Sequence, residues 1–170
     1  MHFPLATLLC VAGSASAALV ATKNETDSSS PYKNVFGRPL AKCSGAGMAL
    51  TGFTREGTCT DRYDDLGSHH VCIKMDSTSG GNFCEVTGQP NWCDTTMACD
   101  GDRRHACPVK HWCVCEWAFA GYIQKAGGCA SIREIDCSAT NFEAVKHYRE
   151  QGASEALACL ESRCGLTLSS

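Results

Sequence analysis

Fixed positive charge is thin in this sequence. Its 15 lysines and arginines are scattered among 18 acidic residues, for a formal net charge of −3, and no long basic run occurs. A nucleic-acid partner asks for a clustered basic patch, so that class of partner is set aside. Membrane helices need about 18 or more consecutive apolar residues, and no stretch reaches that length, so no span is expected. Internal repeats are absent. So are a serine-triad pattern, a phosphate-binding glycine loop and a dinucleotide fingerprint, which removes the common enzyme templates.

Cysteine, in contrast, is abundant. The 170 residues hold 14 of them, about 8%, a density that belongs to an oxidising compartment. Residues 1–17 read as a signal peptide. Phe3 to Gly13 is a short apolar run, and Ala15-Ser16-Ala17 is a small-x-small cleavage site, although no Lys or Arg precedes the run. Cys10 would leave with it. Localisation is therefore expected to be secreted, or in the lumen of the secretory pathway. Residues 18–33 are polar and serine-rich and read as a disordered leader. Asn24-Glu25-Thr26 within them is a glycosylation acceptor. Residues 34–170 read as a single globular domain, since a chain of this size buries roughly 70% of its unfolded surface.

Thirteen cysteines follow the leader, an odd number. At most six disulfides can form, and one thiol is left free or bonded outside the chain, which admits an intermolecular disulfide. One bridge contributes about 2–4 kcal/mol, against a whole-domain stability of about 5–15 kcal/mol. Reduction should therefore loosen or unfold the protein.

Local pattern gives a loop–strand–loop–strand–helix–strand–helix–helix order. His69 to Met75 is β-rich and partly alternating. Residues 76–110 have little periodicity, many glycine and proline breaks and four cysteines, so they read as a cross-linked insertion. Trp112 to Cys115 reads as a short buried strand. Glu116 to Lys125 follows as a helix, apolar nearly all round and stopped by Gly127-Gly128. Ile132 to Cys137 suggests another strand. Thr140-Asn141-Phe142-Glu143 resembles a capping box and opens a helix with Phe142, Val145 and Tyr148 on one face. Ser154 to Cys164 is a last helix, stopped by Gly165. The fold class is a small, disulfide-rich α+β domain, a short sheet with helices packed on it.

Four constellations invite chemistry. Cys113 and Cys115 lie two residues apart in a strand, about 6.6 Å between Cα atoms, at the edge of disulfide reach. They are redox candidates, although each pairing with a distant cysteine is the plainer reading. His69, Cys72, Cys113 and Cys115 could complete a tetrahedral zinc set, but the spacing follows no standard zinc motif, and hydrogen-bonding histidines at a strand entrance explain it as well. Asp64-Asp65 could bind a cation or act as acid and base, yet between Tyr63 and Gly67 it reads more simply as a solvated turn or a cap, the turn being favoured. Of the three tryptophans, Trp112 and Trp117 read as core and Trp92 as the exposed one.

Several of these pieces run in a recognisable order: Asn34-Val-x-Gly-x-Pro-Leu40 with Cys43, Leu50-Thr-Gly-Phe53 with Arg55-x-Gly-x-Cys59, Asp64-Asp-x-Gly-x-His-x-Val-Cys72, and Trp112-Cys-x-Cys115. The string resembles the family of small proteins called domain of unknown function 2237, best known from bacteria, over roughly residues 34–150. The resemblance implies no activity. It singles out Asp65, Gly67, His69 and Trp112, and it divides the cysteines. Cys43, Cys59, Cys72, Cys113 and Cys115 match the family pattern. Cys84, Cys93, Cys99, Cys107, Cys129, Cys137, Cys159 and Cys164 do not, and are expected to form added structural disulfides. The expectation is a non-enzymatic extracellular structural or binding module with an unknown extracellular protein or ligand as partner and no cofactor. The alternative is a thiol-redox or zinc-binding protein built on the Cys/His cluster.

Overall fold

A computed structural model describes residues 30–166. The expected signal peptide, most of the expected leader, Cys10 and Asn24 lie outside the described residues. Tyr32 and Lys33 already pack with the domain. Leu40 N donates to Tyr32 O, and Lys33 bridges to Pro39. Asn34 fixes the turn between them, its side-chain oxygen accepting from the backbone N–H of Phe36 and of Arg38.

Two strands form the centre. β1 (Val71–Lys74) and β4 (His111–Val114) pair antiparallel, with Cys72 opposite Cys113 and Ile73 opposite Trp112. Alternation along a strand sends neighbours to opposite faces, and here the two faces differ in kind. Val71, Ile73, Trp112 and Val114 join the main hydrophobic core. Cys72 and Cys113 turn the other way and pack with Cys43, Cys59 and Ala139 in a separate small cluster.

The segment between these strands is not devoid of secondary structure. It holds α1 (Phe83–Thr87), β2 (Thr96–Ala98) and β3 (Ala106–Pro108). Asn82 and Glu85 make a reciprocal capping box at the start of α1, and Gly88 ends it in the left-handed region at φ 77°. β2 and β3 form a small hairpin. Elements of three and five residues are too short to show a period, which is why the sequence suggests only a loop.

α2 (Glu116–Ala126) buries Phe119, Tyr122 and Ile123, and Gly127 caps it. The helix is one-sided rather than buried all round, because Trp117 is 37% exposed. Trp92, expected to be exposed, instead packs beside Phe83 and Trp112. A period of 3.6 identifies a helix without saying which tryptophan meets a neighbour, so the sequence placed these two the wrong way round.

Ile132 to Cys137 makes only isolated bridges, Ile73 to Ile135 and Ser77 to Ile132, and no full strand. α3 (Phe142–Glu150) is capped by Asn141 and not by Thr140. The Thr140 hydroxyl is engaged elsewhere, donating to Asp136 O and accepting from Cys72 N. α4 (Ser154–Cys164) closes the domain with Ala156, Cys159 and Leu160 buried. The described residues form an α+β architecture, two short antiparallel sheets with four α-helices, cross-linked by six disulfides.

Candidate functional site

The turn before β1 builds a fixed histidine. Asp65 N donates to Arg62 O and Ser68 N to Asp65 O, which folds the chain back on itself. The Asp65 side chain, only 1% exposed, is then surrounded by donors. One oxygen accepts from Gly67 N at 3.1 Å and the other from His69 N at 2.9 Å. His69 Nδ1 lies 2.7 Å from Asp65 Oδ1. A carboxylate only accepts, so Nδ1 carries the proton and Nε2 is the free ring nitrogen. Gly67 is needed for its lack of a side chain. A Cβ there would sit 2.5 Å from His69 Cε1. Asp65 is therefore not in a solvated turn. Asp64 is, paired on the surface with Arg62.

His69 lines a cavity of about 270 Å³ with Gly52, Phe53, Arg55, Trp112 and Cys113. The Phe53 ring lies nearly parallel to the imidazole, 19° between planes and 6.1 Å between centres. Arg55 is held in place from two sides. Its Nη1 donates to Gly52 O at 2.9 Å, and its guanidinium lies 4.7 Å from the centre of the Trp112 ring, a cation–π distance. Burial pulls its pKa below the usual arginine value. Among the described residues no carboxylate reaches Arg55 to within ion-pair distance. The site therefore offers a partly desolvated cation, a fixed imidazole and the exposed Phe53 ring.

The family described as an uncharacterized protein conserved in bacteria (DUF2237) matches residues 33–152. The chain belongs to the DUF2237 family. No curated protein matches it. The DUF2237 match takes in every residue that lines this cavity. α4, with Cys159 and Cys164, lies beyond it.

The cysteines of this DUF2237 chain fall into two closed sets. Cys43 bonds Cys72 and Cys59 bonds Cys113. The other bridges are Cys84–Cys93, Cys99–Cys107, Cys129–Cys159 and Cys137–Cys164. Cys115 is the free cysteine among the described residues, and it is half-buried. No bond crosses between the five cysteines of the family pattern and the other eight.

This arrangement corrects two expectations. Cys113 and Cys115 do not form a redox pair, because β4 ends at Val114 and Cys115 becomes the N-cap of α2, while Cys113 faces Cys59. The zinc set of His69, Cys72, Cys113 and Cys115 is not assembled either. Two of its thiols are consumed in disulfides, and His69 is held by Asp65. Of those four, only His69 and Cys113 line one cavity. Trp112 joins them there. Phe53 and Arg55 stand in the strings that carry the family resemblance but were not named as site candidates, and their place in those strings is the signal that could have marked them.

Proposed function

We propose that this protein is a secreted binding module that takes a small anionic ligand in the cavity of Phe53, Arg55, His69 and Trp112. The observation that carries the proposal is Arg55. Its guanidinium is partly desolvated, fixed by Gly52 O and Trp112, and lacks a carboxylate partner among the described residues. A cation withdrawn from water is stabilised by an anion that reaches it, and arginine recognises carboxylates with two parallel donors. His69 Nε2 is a lone-pair acceptor and suits a donor group on the ligand beside its anionic end, and the exposed Phe53 ring suits a flat ligand body. Side chains already locked before binding reduce the ordering cost. Secretion is supported by the disulfide density, which accords with an oxidising compartment, and among the described residues no helix is long and apolar enough to cross a membrane.

Thiol exchange is the less favoured reading. Cys43, Cys59, Cys72 and Cys113 are each at most 3% exposed, and an attacking thiolate needs access to a sulfur.

The test uses benzoate as probe, titrated into natively secreted protein and followed by Trp fluorescence and by the NMR signals of the Trp112 indole and the Arg55 side chain. Saturable shifts with a dissociation constant on the order of 1 mM are expected in the wild type, and none in Arg55→Met. Absence of saturation with benzoate, acetate and inorganic phosphate alike would overturn the reading.

A further inference from the structure

On the far side of the β1 entrance lies a second polar cluster, built from three elements and outside the cavity just described. Glu116, the first residue of α2, has a side chain only 1% exposed. Its Oε2 lies 2.9 Å from His70 Nδ1 and its Oε1 lies 2.8 Å from Nδ1 of His147 on α3. The three groups can each offer one donor atom, all within 4.8 Å of one another. His70 is 1% exposed at its side chain and His147 is 29% exposed, so solvent reaches the cluster from the α3 side.

The charges around this cluster do not balance with neutral imidazoles. Among the described residues no lysine or arginine pairs with Glu116, and a carboxylate buried without a countercharge is costly. His70 faces acids at both ring nitrogens. Asp61 Oδ1 lies 3.2 Å from its Nε2. That contact is off the N–H direction, so Nε2 is buried without a hydrogen bond. A neutral imidazole has one N–H to give. With the proton on Nε2, the Nδ1 lone pair points at a carboxylate, which is repulsive unless a cation lies between them.

We infer that His70, Glu116 and His147 form a site for a divalent metal ion of the zinc type. Two imidazole nitrogens and a carboxylate are the donors that such an ion takes in three-ligand sites, with water in the fourth position. The ion would neutralise Glu116 and accept both Nδ1 lone pairs. Asp61, 3.2 Å from Nε2 but off the N–H direction, would need a small reorientation to take the Nε2–H of His70 and act as an outer partner that fixes the ring. Metal–ligand bonds of about 2.0–2.1 Å place ligand atoms about 3.3 Å apart. The O···N spacings of 2.8 and 2.9 Å, made to different oxygens of Glu116, must therefore widen by roughly 0.5 Å, while any donor pair nearer the 4.8 Å limit must close, changes within the reach of side-chain adjustment. The site would tie the start of β1 to α2 and α3.

The experiment uses secreted protein with its disulfides intact, stripped by chelator and titrated with Co²⁺ and Zn²⁺. Visible absorption of the cobalt form and elemental analysis of the zinc form give stoichiometry and affinity. One equivalent is expected in the wild type, in Cys115→Ser and in His105→Ala. Binding should be lost in Glu116→Gln and in His147→Ala, and weakened about 10–100-fold in Asp61→Asn. Zinc should raise the melting temperature of the wild type and not of His147→Ala. His147 is partly exposed, so that variant decides the matter should Glu116→Gln fail to fold. Three results each overturn the inference: no stoichiometric uptake by the wild type, which leaves a proton as the bridging charge; binding that survives His147→Ala; or binding that vanishes in Cys115→Ser, which assigns the ion to the free thiol.

Discussion

The Asp65 carboxylate accepts from two backbone N–H groups and one imidazole, and this one residue converts a surface turn into a rigid histidine mount. An aspartate beside Asp64 and ahead of Gly67 reads as turn chemistry, and the reading is half right, since the turn exists. Local turn chemistry does not say which of two adjacent carboxylates folds inward, although the family pattern marks Asp65. Gly67 decides the matter, because it removes the atom that would collide with the inward ring. Gly67→Ala should consequently act twice. A Cβ placed 2.5 Å from His69 Cε1 must push the ring or the turn, at a cost of about 1–3 kcal/mol as for other overpacking changes. Urea unfolding should show that loss, and benzoate titration of the folded fraction should show weakened binding. A variant that unfolds at the wild-type midpoint and binds benzoate normally would mean that the ring is not confined there.

At the scale of elements, legibility followed length and contrast. α2 was readable because the mostly apolar stretch from Trp117 to Ile123 is followed by the double glycine Gly127-Gly128. β1 and β4 were readable because their Val, Ile and Trp alternate with cysteine. α1, β2 and β3 were not, being only three to five residues each. Their order comes from Cys84–Cys93 and Cys99–Cys107 rather than from periodicity. The sequence-based reading reached the fold class and half of the pocket, through His69 and Trp112. It met Arg55 only as part of a family string and could not reach its role, which depends on Trp112, 57 positions away. The disulfides also differ by element. Cys59–Cys113 spans 54 residues and Cys99–Cys107 spans 8. Loop-closure entropy then assigns them about 4 and about 2.5 kcal/mol. The double variant Cys59→Ala/Cys113→Ala should lose more stability in urea than Cys99→Ala/Cys107→Ala, by at least about 1.5 kcal/mol, since the first pair is also fully buried and leaves a cavity. Equal losses would show that the long bridge constrains a denatured state already held by its neighbours.

Across the whole molecule the cystines sort by depth. Cys43–Cys72 and Cys59–Cys113 form a layer on one face of the central strand pair, opposite the apolar core on the other face. Cys84–Cys93 is buried against α1, with both residues no more than 4% exposed. Cys99–Cys107 and Cys129–Cys159 each have one buried and one half-buried partner, and Cys137–Cys164 has both partners half-buried. Exchange begins when a thiolate meets an accessible sulfur, so depth becomes an order of events. Reduction under native conditions should open Cys137–Cys164 first, freeing α4 from the loop before α3, while the cystine layer remains intact. The layer should yield only with global unfolding, since local opening of a central strand pair approaches the full unfolding free energy. Alkylation of stepwise reduced samples, followed by peptide mass mapping, reads this order directly. Early labelling at Cys72 or Cys113, before Cys137 and Cys164, would mean that the strand pair opens on its own, and the thiol-exchange reading would then regain the access that its burial denies it.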